Sequence, residues 1–238
     1  MRYATLGACA FAFGVMGVVA PASAVTNLLT NGDFESTDAS PSTSGLGGAL
    51  NTLSAGQWGV YDSIPGWTTT FGQGIEIQTA GVSTISSSEM RPDSTKYVEL
   101  DSDPSDGSNS TMSQTVAVTP GLTYEFSFWY SPRVDDASAD TNKIEWDFTP
   151  PGGVGGSVSG PSVTIPTTEV GEWTRIVDYF TAATTQNSVT ITMSAAGKEE
   201  TLGGFVDDVS FGVIPLPAGV FLIAGAFGLA GAVRRFAA

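Results

Sequence analysis

Two carboxylates in one short stretch have a spacing that could do chemistry. Glu145 and Asp147 alternate with Ile144, Trp146 and Phe148, so an extended strand would place both carboxylates on the same face. Glycosidases use two carboxyl groups about 5–10 Å apart as acid and base. The same spacing also arises on any solvated strand face, and the chain lacks the size and the cleft-forming insertions of most glycosidases. The solvated strand face is therefore the favoured interpretation.

A second stretch adds an aromatic residue to this picture. Residues 123–130 alternate between a face that we expect to be core and a face that carries Glu125, Ser127 and Trp129. The expected core residues are Tyr124, Phe126, Phe128 and Tyr130.

Stretches that are consecutive in sequence often form neighbouring strands. The outer faces of these two would then combine Trp129 with Glu125, Glu145 and Asp147. An exposed aromatic ring can stack on a pyranose while carboxylates accept hydrogen bonds from its hydroxyls. The pattern therefore predicts a shallow sugar-binding platform. The alternative, that the opposite sheet covers Trp129, stays open at this point.

The other four tryptophans divide into one binding candidate and three structural residues. Trp58 is the second candidate for contact with a sugar. Trp67 follows a Pro-Gly turn, Trp146 shares a face with apolar residues, and Trp173 begins an alternating stretch. We expect these three to be structural.

The composition excludes several classes of protein. The chain has no histidine, which is the commonest general base and a principal zinc ligand, so we do not expect an enzyme. Residues 25–213 carry 24 acidic side chains against six basic ones, a net charge of about −18. This charge argues against nucleic acid and favours cations and neutral sugars as partners.

The N-terminal residues have the pattern of a secretory signal. Arg2 precedes an apolar run, and small residues at positions 22–24 form an A-x-A-like cleavage site. We therefore expect residues 1–24 to be a signal peptide. The only cysteine, Cys9, lies inside this segment, so the mature chain would have no thiol for a disulfide or a metal site.

The C-terminal residues have the pattern of a membrane-spanning tail. An uncharged, apolar run follows a proline motif and ends at two arginines, which would stay in the cytoplasm. The residues of the motif and the basic end are Pro215, Leu216, Pro217, Ala218, Arg234 and Arg235. This order resembles the PEP-CTERM sorting class in its VPLPA-type variant, with Ile214 where that motif has valine. The resemblance implies that a membrane peptidase, an exosortase, removes the tail and that the protein is then released or attached outside the cell. A plain membrane anchor over residues 214–238 is the alternative.

Between these ends, short β-rich stretches alternate with turns, and no segment keeps a helical apolar period. Residues 36–56, 101–110 and 150–161 are rich in Ser, Gly, Pro or Asp and are expected to be loops. We therefore predict one all-β domain over residues 25–213.

Several motifs of this region occur in a familiar order. Residues 27–35 read NLLTNGDFE, and the later stretches are IPGW at 64–67, GIEIQ at 74–78, YVELD at 97–101, SQT at 113–115 and GGFVDDVS at 203–210. Together they resemble galactose-binding-like carbohydrate modules, and in particular the bacterial PEP-CTERM relatives of a plant cell-wall family known as a domain of unknown function. The resemblance implies a jelly-roll β-sandwich, polysaccharide binding without catalysis, and in many relatives a structural calcium ion.

The calcium expectation has one argument from the residues themselves. Alternation in residues 205–211 places Asp207 with Phe205, Val209 and Phe211, where an unpaired carboxylate is costly. Calcium takes six to eight oxygen ligands and would compensate this charge. The resemblance implies Ca²⁺ ligands at the side chains of Glu35, Asp93 and Asp207 and the carbonyls of Asp33 and Lys96. The alternative is that Glu35 and Asp93 are solvated and Asp207 caps backbone amides.

Two functions follow from these features. The first is an exported, non-catalytic carbohydrate-binding protein of the cell surface or the biofilm matrix. The second is a structural matrix protein or adhesin that keeps the sandwich but has no sugar site. The exposure of Trp129 should discriminate between them.

Overall fold

The computed structural model describes residues 25–37, 43–83, 85, 89–91, 93–104, 107–133, 141–150, 158–159 and 172–214. The predicted signal peptide and the predicted sorting tail, with its proline motif and both terminal arginines, lie outside these residues. Within the described part, no helix is long and apolar enough to cross a bilayer.

The domain is a sandwich of two antiparallel sheets, which confirms the all-β prediction. The first has seven strands in the order β1 (Thr43–Gly47), β2 (Trp58–Tyr61), β5 (Ile75–Thr79), β6 (Lys96–Glu99), β13 (Phe205–Val213), β8 (Thr123–Ser131) and β11 (Thr174–Thr181). The second has six strands in the order β10 (Val158–Ser159), β9 (Ile144–Thr149), β12 (Ser188–Ala195), β7 (Thr111–Ala117), β4 (Trp67–Phe71) and β3 (Ser63–Ile64). A short 3₁₀ turn covers Leu50–Thr52.

The two inner faces form the main core. Strand alternation puts one set of side chains from each sheet between the layers. The expected core face of β8 is confirmed, with Tyr124, Phe126, Phe128 and Tyr130 all at most 1% exposed. The rings of Phe126 and Phe128 pack on those of Trp146 and Phe148 from the facing sheet, with ring centres 5.3–6.3 Å apart.

A second apolar cluster lies on the outer face of the seven-stranded sheet. Ile85, Tyr97 and Phe205 are fully buried there, with Met90 and Trp173 packed against them. The Trp173 indole donates to the Glu89 carbonyl at 2.8 Å, so this tryptophan is structural, as predicted. Trp67 and Trp146, at 1% and 4% exposed, are structural as well.

The two strands of the predicted sugar platform are not neighbours. β8 lies between β13 and β11 in one sheet, whereas β9 lies between β12 and β10 in the other. Sequence order failed here because β8 and β9 cross from one layer to the other instead of forming a hairpin. Glu145 and Asp147 therefore lie on the opposite outer face of the sandwich from Trp129 and Glu125, and the prediction of a shared platform is wrong.

The N-terminal motif, residues 27–35, folds into a tight turn against β13. Asn31 has a positive φ of 53°, its side-chain oxygen accepts from the Ser36 amide at 2.8 Å, and its carbonyl accepts from the Trp67 indole at 3.1 Å. A Cβ on Gly32 would lie 2.0 Å from the Val209 carbonyl oxygen. The Asn-Gly pair is thus needed for the backbone to approach the last strand.

Candidate binding site

A bulge in β13 shapes one side of the candidate site. Asp207 pairs with Trp129 of β8, but the next paired residue is Ser210, opposite Ser127, and Asp208 has a positive φ of 54°. The extra residue changes the alternation. Asp207 therefore shares the outer face with Phe205, while Val209 and Phe211 point into the main core. The prediction that all four share one face is wrong, although Asp207 is buried as predicted.

Acidic residues from three segments surround one cavity beside this bulge. The cavity has a volume of about 420 Å³, and its lining residues are Asp33, Glu35, Arg91, Asp93, Ser94, Asp207 and Asp208. Four of the five predicted calcium ligands lie here. The fifth, Lys96, is close by, and its carbonyl accepts from the Ser94 hydroxyl at 2.9 Å.

Asp207 is the carboxylate that lacks compensation in this cavity. It is 1% exposed, and its Oδ1 accepts from the Asp208 amide at 2.7 Å. Its buried Oδ2 has no hydrogen-bond partner within the described structure. Burial raises the pKa of Asp207 to about 7. The nearby Ser94 hydroxyl and the Asp208 amide oppose this shift, but the hydroxyl donates to the Lys96 carbonyl at 2.9 Å and makes no hydrogen bond of ordinary geometry with Oδ2. The ionised form is therefore costly unless a cation approaches Oδ2.

Glu35 is satisfied by protein donors. Its carboxylate accepts from the Thr95 amide at 2.6 Å, the Lys96 amide at 2.8 Å and the Thr95 hydroxyl. The Lys96 ammonium lies 3.2 Å away. Burial alone would raise the pKa of this carboxyl group, but these donors outweigh it and the pKa is lowered. Glu35 thus ties the N-terminal motif to the start of β6.

Arg91 supplies a positive charge at the rim of the acidic cavity. Its guanidinium donates to Asp208 Oδ2 at 2.8 Å and lies over the Trp129 ring, with its central carbon 3.8 Å from the ring centre. This is the geometry of a cation–π contact. Trp129 is half-buried, because Arg91 covers its ring and the opposite sheet does not.

The acidic cavity fits a hard cation in its chemistry. Its donors are oxygens, Asp207 Oδ2 is unpartnered, and calcium accepts carboxylates and carbonyls. In the described residues, however, no three carboxylates are already arranged around one point where an ion would sit. Asp207, Asp33 and Asp93 are the groups available to hold calcium, and Glu35 would have to give up present donors to join them.

Glu125, the other predicted platform residue on this sheet, lies in a polar strip on β8 and β11. Arg175 donates to Glu125 Oε1 at 2.5 Å and to the Ser127 hydroxyl at 3.0 Å. Tyr179 lies directly opposite Glu125 in the register and is 57% exposed. The sequence analysis did not select Tyr179. Its place on the same alternating face as Arg175 was the available signal.

The remaining predicted platform residues are dispersed. Glu145 pairs with Lys143 at 2.6 Å on the six-stranded sheet, and Asp147 accepts from the Thr149 hydroxyl at 2.9 Å. Trp58 is on β2, four strands from Trp129, which corresponds to about 19 Å at ~4.8 Å per strand. Glu145 and Asp147 thus lie on the other sheet, and Trp58 lies too far from Trp129 for the two rings to contact one sugar ring.

A buried polar network that the sequence analysis missed lies on β5 and β6. Gln78 donates to Glu76 at 2.7 Å and to Glu99 at 2.5 Å, and Arg133 donates to both oxygens of Glu99 at 2.7 and 2.9 Å. Burial raises the pKa of Glu76, and it raises the pKa of Glu99 well above its usual value despite the Arg133 charge. One arginine thus faces two buried carboxylates.

Comparison with known proteins decides the family. The family model described as "Protein of unknown function (DUF642)" matches residues 27–212, which include both sheets and the acidic cavity. The chain belongs to the DUF642 family. A comparison with curated proteins found no match.

Several solved structures are similar to this DUF642 domain at low sequence identity. A Stig cyclase from Fischerella sp. TAU is 14% identical with a TM-score of 0.54, covering 81% of this chain and 99% of the cyclase. TmCBM61, solved with beta-1,4-galactotriose, is 20% identical with a TM-score of 0.44, covering 78% and 97%. Bacteriophage CBA120 tailspike protein 4 is 12% identical with a TM-score of 0.46, and the match covers 79% of this chain but 21% of the tailspike chain. The cyclase match shows the fold alone.

The arrangement in the DUF642 domain offers two kinds of chemistry on one sheet face. The acidic cavity can hold a cation next to the β13 bulge. The strip beside it presents one exposed phenol ring next to a carboxylate and a guanidinium, which can stack on an apolar ring face and exchange hydrogen bonds with hydroxyls. Tyr179, Glu125 and Arg175 are the side chains of this strip.

Proposed function

We propose that this domain is a non-catalytic carbohydrate-binding module of an exported protein of the cell surface or matrix. The observation that carries the proposal is the strip of Tyr179, Glu125 and Arg175 on an open strand face. Tyr179 is 57% exposed, and a phenol ring of this kind stacks on pyranose faces at low entropic cost. Its neighbours form a charged pair whose free lone pairs and N–H groups match sugar hydroxyls.

The open geometry supports binding without catalysis. Glu125 is the carboxylate of the strip, and it accepts a hydrogen bond from the Arg175 guanidinium. Glu145 and Asp147, the pair that resembled a glycosidase acid and base, lie on the opposite outer face. A glycosidase of the usual kind needs two carboxyl groups on either side of one bond.

Calcium enters this proposal as a structural ion. Asp207 would hold it with Asp33 and Asp93, and the ion would supply the positive charge that Asp207 Oδ2 lacks. These residues come from the N-terminal motif, the segment before β6 and the last strand. An ion bound only by the folded state would therefore stabilise the junction of the three segments by mass action.

The proposal that the protein is exported and sorted is supported by sequence patterns at both ends of the chain. The pattern of residues 1–24 supports secretion, and the proline motif, apolar run and arginine pair of residues 214–238 support transient insertion in the inner membrane followed by exosortase processing.

One observation favours a second function, that of a structural matrix protein or adhesin without a sugar site. The ring of Trp129, the aromatic residue selected from the sequence, is covered by Arg91. If Tyr179 binds no glycan, the remaining outer faces suit protein partners.

A glycan array with residues 25–214, run with and without calcium, tests the proposal. We expect binding to at least one neutral polysaccharide, and we expect Tyr179→Ala to abolish it. The matched control is Thr181→Ala, two residues along the same exposed face of β11. An array on which wild type binds nothing in either condition would favour the structural protein.

A further inference from the structure

Both ends of the described chain lie at the same end of the sandwich. The Leu28 amide donates to the Phe211 carbonyl at 2.8 Å, and the Ile214 amide donates to the Thr123 carbonyl at 3.2 Å. Residues 25–26 lie very close to Gly212. A Cβ on Gly212 would be 2.2 Å from the Thr26 carbonyl oxygen. The chain therefore enters and leaves beside the last residues of β13.

Two turns complete this end of the domain. The turn between β7 and β8 and the turn between β11 and β12 are joined by backbone hydrogen bonds, from Ala182 to Leu122 at 3.0 Å and from Gly121 to Ala182 at 2.9 Å. The Val118 amide also donates to the Asn187 carbonyl at 2.9 Å. We call residues 25–28, 118–123, 181–188 and 212–214 the terminal end.

The terminal end differs from the rest of the surface in charge. None of its residues is Lys, Arg, Asp or Glu, in a chain that has 24 acidic residues. Residues 197–204, beyond the far end of β12, include Lys198, Glu199 and Glu200 instead.

The terminal end also exposes apolar side chains. The described residues include seven large hydrophobic side chains that are exposed, and four of them lie here. They are Leu28, Leu122, Val213 and Ile214, with exposures of 40%, 40%, 37% and 36%. An uncharged surface with several exposed apolar side chains is typical of an interface.

We propose that the terminal end rests on the lipid headgroups of the membrane in which the C-terminal tail is anchored. This inference depends on the membrane insertion of that tail, which is part of the proposed function. Only four residues, 215–218, separate Ile214 from the apolar run that begins at Gly219. Fully extended, five residue steps span at most about 17 Å, so an inserted tail keeps the terminal end next to the bilayer.

The charge distribution suits this position. Where the leaflet on the exported side carries anionic headgroups, they repel acidic groups within about a Debye length of 8–10 Å, and a domain of about −18 would be pushed from the membrane if acidic side chains faced it. The residues that define the terminal end include no acidic side chain, and Glu125, which lies opposite Gly212, is paired with Arg175. The leucines and the valine of the terminal end can enter the headgroup region. The bilayer therefore fits this surface better than it fits any acidic part of the domain.

Fluorescence quenching in vesicles tests the inference with the full chain. The chain carries Cys9→Ser and a single new cysteine with a fluorescent label, either Leu122→Cys at the terminal end or Lys198→Cys at the far end of β12 as the matched control. The vesicles contain phosphatidylcholine and phosphatidylglycerol with a headgroup nitroxide quencher. β12 alone spans about 25 Å, so we expect at least about threefold stronger quenching at position 122.

A charge insertion gives a second readout. In the Leu122→Cys chain, Thr185→Glu should reduce the quenching, since it brings an acidic group to the anionic surface. Thr70→Glu, an equally exposed threonine outside the terminal end, should leave it unchanged.

The outcomes separate this inference from the one on which it depends. Flotation of the vesicles on a density gradient measures membrane attachment separately. A chain that does not float with the vesicles overturns membrane attachment and the inference together. A chain that floats but shows equal quenching at positions 122 and 198 overturns the inference alone. Self-quenching of the label at position 122 without vesicles would assign the terminal end to a second copy of the chain, which also overturns it.

Discussion

The central carbon of the Arg91 guanidinium lies over the Trp129 ring, 3.8 Å from its centre, and the same side chain pairs with Asp208 at 2.8 Å. One side chain thus joins the acidic cavity to the neighbouring strand β8. The Trp129 ring, which strand alternation places on the outer face, is already in contact with a cation. Because Arg91 covers this ring, the ring is not free to stack on a sugar.

Trp129→Ala should lower the stability of the domain and leave glycan binding intact. A cation–π contact at a partly exposed site contributes about 0.5–2 kcal/mol, and the truncation also uncovers Asp207 opposite. Denaturant unfolding with parallel glycan binding measures both effects. If Trp129→Ala keeps wild-type stability but no longer binds the glycan, Trp129 is part of the sugar site and this prediction is wrong.

Chelation should lower the melting temperature of the wild-type domain, because calcium would neutralise Asp207 in the folded state only. In Asp207→Ala the melting temperature should no longer depend on calcium. Asp147→Ala, which removes a carboxylate from the other sheet, is the control and should respond like wild type. A wild-type melting curve that is identical with and without chelator contradicts the calcium proposal.

The stability of the domain should depend on the buried carboxylates Glu76 and Glu99. Their pKa values are raised in the folded state, so the folded protein binds protons more tightly than the unfolded chain. The stability from these groups is fully present below their ordinary pKa of 4.5 and is lost as pH rises through the raised values. The melting temperature should therefore fall as the pH rises above about 4.5.

Glu76→Gln should flatten this pH profile, because one of the two buried charges is absent. Glu145→Gln, a surface change on the other sheet, is the control and should keep the wild-type slope. Thermal melts across the pH range decide the matter, and a slope of the same size in Glu76→Gln and wild type would refute the assignment to this network.

Gly32→Ala should destabilise the domain strongly. The new methyl group would overlap the Val209 carbonyl, and the N-terminal motif would have to move away from β13. We expect a loss of roughly 1–3 kcal/mol in chemical denaturation. The control Gly121→Ala has no atom within 4 Å of the added Cβ, and its φ of 77° should cost only about 1 kcal/mol. Equal losses for the two variants would show that contact with β13 is not the cause.

The mature protein should begin near Val25 and lack residues 219–238 if the tail is a sorting signal. Intact-mass analysis of surface and secreted fractions measures both ends at once. A product that retains Arg234 and Arg235 would support the plain membrane anchor.

Strand alternation predicted the fold better than it predicted the site. The inner face of β8 and the alternation of β9 follow from local period-2 patterns, which depend on neighbours along the chain. The sheet to which each strand belongs depends on long-range pairing, and so Glu145 was placed beside Trp129 in error. The bulge that separates Asp207 from Val209 adds one residue without a sequence signature that we recognised. Arg91 could not be assigned to Trp129 because the two are far apart in sequence and meet only when the loop folds over the sheet.

The most direct measurement of the central claim is calorimetric titration of the folded domain, wild type and Tyr179→Ala, with the polysaccharide selected on the array. Loss of the ring should weaken binding by about 1–3 kcal/mol, the scale of burying an aromatic side chain, at unchanged melting temperature. Thr181→Ala should bind like wild type. Undiminished binding by a correctly folded Tyr179→Ala variant would contradict the claim that this strip is the carbohydrate site.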